Sequence, residues 1–194
     1  MNYKRKILKA SPVIKISLSL IPILAIMIML AFTVTGCSSA EENSKGFKVS
    51  GTKLLDSNGN EFIIRGINHA HNWYKSTDTT AITAISKTGA NSVRIVLSNG
   101  ELYSKDSIAT LKKLISLCEE NKLIAILEIH DTTGSNNINS LVKAAEYWIE
   151  MKDALLGHED TVILNIANEW YAAWDSNKWA EGYMKVIPMK EMQV

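Results

Sequence analysis

Thr161-Val162-Ile163-Leu164-Asn165-Ile166-Ala167-Asn168-Glu169-Trp170 is an apolar, β-branched run that ends in an amide, a carboxyl group and an indole. A carboxyl group at the end of a buried strand is costly to place unless it has partners or chemical work to do. Where parallel strands alternate with helices in a barrel, catalytic residues sit at the carboxyl ends of the strands. Glu169 is therefore the leading candidate for a catalytic acid. Three other runs of strand character also end in polar groups. Asn68, His69 and His71 with Trp73 follow the first, Arg94 lies within the second, and Glu128, His130 and Asp131 mark the third. One polar strand end is a packing solution; four that converge on one rim suggest a site.

Each of these residues also has a structural reading. Arg94 can neutralise a carboxylate inside the fold whether or not catalysis takes place. Glu128 and His130 are two apart, so they share one face of their strand and can form an internal hydrogen-bonded pair. That spacing, with no third ligand, argues against zinc, and no metal or cofactor is expected. His69 and His71 can line a site or hold a loop. Tyr147 and Trp148 fall on a helical pattern and read as core. Trp170, Tyr171 and Trp174 offer flat rings to sugar faces, and packing accounts for them equally well.

The elements that must position these groups follow from periodicity. Phe47-Lys48-Val49 and Lys53-Leu54-Leu55 make a hairpin, and Ser57-Asn58-Gly59-Asn60 is a turn leading to the next strand. Strands are expected at Phe62 to Ile67, Ser92 to Leu97, Ile124 to Ile129 and Val162 to Ile166. Most are continuous apolar runs, as parallel strands covered on both faces are. Ser104 is the expected cap of a helix with Ile108, Leu111, Leu114, Ile115 and Cys118 inward. Ser140 is the expected cap of another, with Leu141, Ala144, Ala145, Trp148 and Leu155 inward and Gly157 at its end. A shorter helix holds Ala81, Ile82 and Ile85 before Gly89. Strand starts recur every 30 to 38 residues, the spacing of βα units. Gly66-Ile67-Asn68-His69-Ala70-His71-Asn72-Trp73-Tyr74 is not the Gly-rich turn of a nucleotide-binding sheet, so phosphate binding is disfavoured.

The leading 36 residues stand apart. Lys4, Arg5, Lys6 and Lys9 precede an apolar stretch from Ile16 to Val34, with no acidic residue, as in a secretory signal. An uncleaved membrane anchor is the alternative. Val34-Thr35-Gly36-Cys37 resembles the lipobox of bacterial lipoproteins, which implies cleavage before Cys37 and a diacylglyceryl group on its thiol. Residues 37–45 read as a polar tether, and the chain is expected at the outer face of the cell membrane, lipid-anchored, or secreted. The leading segment holds five of the 21 basic residues and none of the 20 acidic ones, leaving a net charge of −4 for the remainder. That balance does not suggest nucleic acid as a partner. Cys118 reads as a small buried hydrophobe.

From Gly46 to about Ile187 the chain resembles the bacterial endo-β-1,4-mannanases of glycoside hydrolase family 5. The matching stretches are Arg65-Gly66-Ile67-Asn68-His69-Ala70-His71, Val93-Arg94-Ile95-Val96-Leu97-Ser98-Asn99-Gly100, Leu127-Glu128-Ile129-His130-Asp131 and Asn165-Ile166-Ala167-Asn168-Glu169-Trp170. The resemblance implies a (β/α)8 barrel, β-mannan as substrate, and a retaining two-carboxylate mechanism. It makes Glu169 the general acid/base, and Asn168 a donor to the sugar hydroxyl beside the scissile bond. It gives Arg94 the nucleophilic carboxylate to hold and His130 the reacting subsite to shape. His71, Trp73 and Trp170 would line the cleft.

The second carboxylate of such a mechanism lies about 5 Å from the first, and the resemblance puts it after a seventh strand. Residues 37–194 number 158, against about 250 for a whole barrel. The expectation is the N-terminal half of the barrel, about four βα units behind a short hairpin, truncated by an early stop, a frameshift or a fragmentary gene model. Such a chain is expected to have little or no hydrolytic activity alone. A related endo-β-1,4-glucanase and a non-catalytic surface glycan-binding lipoprotein are the alternatives.

Overall fold

The computed structural model describes residues 46–188. The expected signal segment, Cys37 and its tether, and positions 189–194 lie outside the described residues. Two short antiparallel strands come first, β1 (Lys48–Ser50) and β2 (Lys53–Leu55). The next turn is organised by Asp56, whose Oδ1 accepts from the amides of Asn58 and Asn60 at 2.9 Å each.

The chain then folds back instead of entering the main sheet. Glu61 bridges Leu55, and the Phe62 amide donates to the Leu54 carbonyl at 2.8 Å. The strand expected at Phe62 to Ile67 therefore starts later, as β3 (Gly66–His69). Between them, the Asn91 side chain accepts from the Arg65 amide and donates to the Ile63 carbonyl, both at 2.8 Å, where a neighbouring strand would otherwise pair. Gly66 is needed for close approach: a Cβ there would lie 2.7 Å from Ser92 Oγ.

Four βα units follow, as expected. A 3-10 turn (Lys75–Thr77) leads into α1 (Asp78–Ser86), then come β4 (Ser92–Leu97), α2 (Ile108–Glu120) and β5 (Ile124–Ile129). The chain continues through α3 (Ile138–Glu150), a single turn α4 (Lys152–Leu155), β6 (Val162–Asn165) and α5 (Ser176–Val186). The main sheet is parallel throughout, in the order β3-β4-β5-β6.

Register sets the chemistry. Asn68, Arg94, Ile126 and Ile163 stand in one row across the four strands, and Val96, Glu128 and Asn165 in the row beyond. In-register neighbours share a face, so this face carries the polar groups. The opposite face carries Val93, Ile95, Leu97, Ala125, Leu127 and Ile129, all buried against Leu111, Leu114, Ile115, Leu141, Ala144 and Trp148 of the helices. This apolar layer is the core.

Two helix starts differ from expectation. Ser107 caps α2, its extended backbone letting Oγ accept from the Thr110 amide, so Ser104 is not the cap. Asn137 caps α3 by accepting from the Asn139 amide; the Ser140 hydroxyl instead donates to the Asn137 carbonyl. Both errors are three residues, less than one turn. Among the described residues β3 and β6 are the sheet's edges. Apolar side chains remain exposed beside them: Ile63, Ile64 and Ile67 at one, and Leu164, Trp179, Met184 and Ile187 at the other. Among the described residues no helix is long and apolar enough to cross a membrane.

Leu127 sits in the middle strand with no solvent exposure. Leu127→Ala is expected to lower unfolding free energy by about 3 kcal/mol, measured by urea denaturation; a loss below about 1 kcal/mol would contradict this placement of the core.

Candidate active site

The carboxyl ends of β3 to β6 bring four of the expected residues together. Glu128 lies on β5 with no solvent exposure. Its Oε1 faces the Arg94 guanidinium at 3.3 Å and accepts from His130 Nδ1 at 3.0 Å. Arg94 Nη2 donates in turn to Asn168 Oδ1 at 2.6 Å. Arg94 thus neutralises a carboxylate inside the sheet, and Glu128 and His130 are the internal pair that their spacing allows. Burial pushes the Glu128 carboxyl above its ordinary value, against the pull of Arg94 and His130.

Asn168 is held from every side. Its amide N–H donates to the Ile129 carbonyl at 2.8 Å, its side-chain nitrogen to Thr133 Oγ1 at 2.8 Å, and its carbonyl accepts from Thr132 Oγ1 at 3.1 Å. Those contacts fix its amide orientation, with oxygen toward Arg94. Neither threonine carried a signal in the sequence.

Glu169 is exposed and not on a strand. β6 stops at Asn165, and Glu169 occupies a turn with φ +43°. Tyr171 and Trp174 also adopt positive φ, at +71° and +57°. Three non-glycine residues in the left-handed region within six positions are strained backbone, of the kind that functional loops hold. The loop is laced to its neighbour by Gly134 N–H to the Glu169 carbonyl (3.2 Å) and Tyr171 N–H to the Ser135 carbonyl (2.7 Å). The Glu169 carboxylate has no partner among the described residues and lines a pocket of about 390 Å³ with Trp170, Tyr171, Trp174, Asp175 and Trp179. Asp175 is committed to capping α5, accepting from the amides of Asn177 and Lys178.

The aromatic residues divide. Trp73 is 47% exposed and meets His130 edge-on at 5.3 Å and Tyr103 at 5.4 Å, a platform at the rim. Tyr103 was not singled out from the sequence, because nothing in its loop is periodic. Trp170 is mostly buried. Its ring is 4% exposed, lies against Gly182 of α5, where a Cβ would come within 2.2 Å, and its Nε1 donates to the Asn137 carbonyl. It packs two helices together and also lines the pocket beside Glu169.

His71 was expected to line the cleft and is instead buried. It is 1% exposed, with Nδ1 at 2.8 Å from Asp78 and Nε2 at 3.2 Å from Asp106. His69 Nε2 shares the same Asp78 oxygen at 2.9 Å, and Lys75 reaches Asp106. Asp106 also accepts from the Ser98 amide. This network stands behind the rim and ties the loop after β3 to the start of α1 and the loop after β4. Three of its atoms lie within 4.8 Å of one another. A tetrahedral ion with bonds of about 2.0–2.1 Å would hold its ligands roughly 3.4 Å apart. The observed separations and the shared oxygen are those of hydrogen bonds. Burial opposes a charge on His71, but the carboxylates of Asp106 and Asp78 outweigh it and raise its pKa. Burial likewise opposes ionisation of Asp106, whose pKa is nevertheless lowered by His71, Lys75 and the Ser98 amide.

The sequence matches the family described as Cellulase (glycosyl hydrolase family 5) over residues 55–191. It is 57% identical over 143 residues to a mannan endo-1,4-beta-mannosidase of Salipaludibacillus agaradhaerens, covering 74% of this chain and 46% of that protein. It is 45% identical over 126 residues to the beta-mannanase/endoglucanase A of Caldicellulosiruptor saccharolyticus, covering 63% of this chain and 10% of that one. Among solved structures, the mannotriose complex of Thermomonospora fusca beta-mannanase superposes with a TM-score of 0.71 at 40% identity, over 78% of this chain and 52% of that chain. The chain thus spans about half the length of these mannanases or less.

Two outcomes follow from the site's construction. A raised His71 pKa stabilises the fold fully below the unfolded-state value of about 6.5 and loses that contribution as pH rises through the folded value. Unfolding free energy measured from pH 6 upward should therefore fall more steeply in the wild type than in His71→Gln; parallel curves would contradict the charged network. Trp170→Ala should cost about 3–5 kcal/mol of stability, whereas Trp73→Ala should leave thermal unfolding nearly unchanged; equal costs would contradict their separate roles.

Proposed function

Because the chain belongs to glycosyl hydrolase family 5, we propose that its strand-end cluster serves hydrolysis of β-1,4-linked mannan by a retaining mechanism. The observation that carries this reading is the joining of Arg94, Asn168 and Glu128 beside an accessible Glu169 at the carboxyl ends of parallel strands. Glu169 protonates the departing glycosidic oxygen and then takes a proton from the attacking water. Asn168, with its amide oxygen held by Arg94, keeps one N–H for the sugar hydroxyl beside the scissile bond. Trp73 gives its open face to a pyranose ring. His71 acts at one remove, by holding the loop that carries Trp73.

A retaining mechanism needs a second carboxylate about 5 Å from the first as nucleophile. The other carboxylate lining the Glu169 pocket, Asp175, is engaged as a helix cap. The described residues in this reading carry the proton donor and its supports. In this reading Cys37 carries the lipid and the domain works at the outer face of the membrane. A second reading, hydrolysis of β-1,4-glucan, is favoured by the relative whose name joins mannanase and endoglucanase.

Calorimetric titration of the chain with mannohexaose and cellohexaose separates the two. Mannohexaose is expected to bind more tightly, Trp73→Ala to weaken it about tenfold, and Glu169→Gln to leave affinity within about threefold, a single stacked ring contributing roughly 1–1.5 kcal/mol. Tighter cellohexaose would establish the glucan reading, and no binding of either would contradict both. Release of reducing sugar from mannan is expected to equal that of Glu169→Gln; release abolished by that substitution would show that a nucleophile is present beyond the described residues.

A further inference from the structure

Glu128 has no place in the proton transfers, yet it is the most deeply buried charge at the rim. Oε1 takes both His130 Nδ1 and the Arg94 guanidinium, while Oε2 is buried without a hydrogen-bond partner among the described residues. A buried carboxylate with one oxygen unpaired is a costly way to fill a strand position, where an apolar residue would pack without penalty. Its neighbours across the sheet, Val96 and Asn165, give it no further partner.

The geometry shows what that cost secures. An ionised carboxylate only accepts, so the hydrogen at the 3.0 Å contact is on His130 Nδ1. In the neutral ring the proton then stays off Nε2, which becomes an acceptor. That ring stands edge-on to the half-exposed Trp73, at the place where a sugar would stack. The same Glu128 oxygen holds Arg94, whose Nη2 orients the Asn168 amide.

We propose that Glu128 is the positioning residue of this site, fixing His130 as the Nδ1–H tautomer so that Nε2 accepts a hydrogen bond from a hydroxyl of the bound mannan, and holding Arg94 turned toward Asn168. The ligand part of this proposal rests on the mannan reading above; the tautomer part does not.

The test is the ring nitrogen spectrum of His130 by two-dimensional ¹H–¹⁵N NMR of the whole chain at pH 8, assigned by loss of its signals in His130→Asn. The wild type is expected to show a protonated Nδ1 and an unprotonated Nε2. Glu128→Gln, which keeps an acceptor oxygen, is expected to retain that pattern, and Glu128→Ala to lose it. Mannohexaose is expected to shift the Nε2 resonance in the wild type and not in Glu128→Ala. A wild-type ring protonated at Nε2 would overturn the proposal by itself, even if Glu128→Ala fails to fold. So would a Glu128→Ala ring that keeps the wild-type pattern. If mannohexaose binds nowhere while the tautomer behaves as stated, the mannan reading fails and the positioning role stands.

Discussion

A carboxylate sealed inside a parallel sheet must be neutralised by groups that the sheet itself supplies. Glu128 meets that constraint with Arg94 from the neighbouring strand and His130 from its own, and the rest of the rim is built outward from this choice. Strand register brings Arg94 and Glu128 together: Arg94 stands beside Ile126, one same-face step before Glu128. Arg94 bridges onward to Asn168, and the loop carrying Asn168 is fixed by Thr132 and Thr133. One buried charge thereby orders side chains from three successive strand ends. In a low-dielectric setting, such a network is valuable only when its members are nearly all satisfied.

A second layer of charge supports the first from behind. His69, His71, Asp78, Lys75 and Asp106 form a continuous chain of hydrogen bonds, almost free of solvent at its centre. It pins the loop that presents Trp73, and Trp73 in turn leans on His130. The two networks meet at that aromatic contact. Rigid support beneath an exposed ring favours stacking on a partner, because a pre-positioned ring loses little freedom on binding.

Much of this was legible from the chain. Strands β4, β5 and β6 are apolar runs bounded by turn residues, and the helices between them carry clear periodicity, so the four βα units follow directly. The rim residues Arg94, Glu128, His130 and Asn168 were visible as polar groups at apolar strand ends. The misreadings share a cause: local pattern does not report tertiary partners. Phe62 has strand character but bonds back to Leu54, and β3 begins where Gly66 can approach Ser92. Ser104 and Ser140 are good caps in isolation, yet Ser107 and Asn137 have the extended backbone that capping needs. Trp170 beside Glu169 lines the pocket as its position suggests, but its packing onto Gly182, 12 residues on, carried no local signal. Asp78 and Asp106 gave no signal, because their histidine partners are 7 and 35 residues away in sequence.

The proposed mannan-binding role requires Arg94 and Asn168 to act as one unit at the rim. A double-mutant cycle on mannohexaose affinity, with Arg94→Ala, Asn168→Ala and the pair together, tests it most directly. The structure predicts a coupling energy above about 0.5 kcal/mol, as for residues in one hydrogen-bond network. Strictly additive losses would contradict it and would make Arg94 a structural charge with no bearing on the sugar.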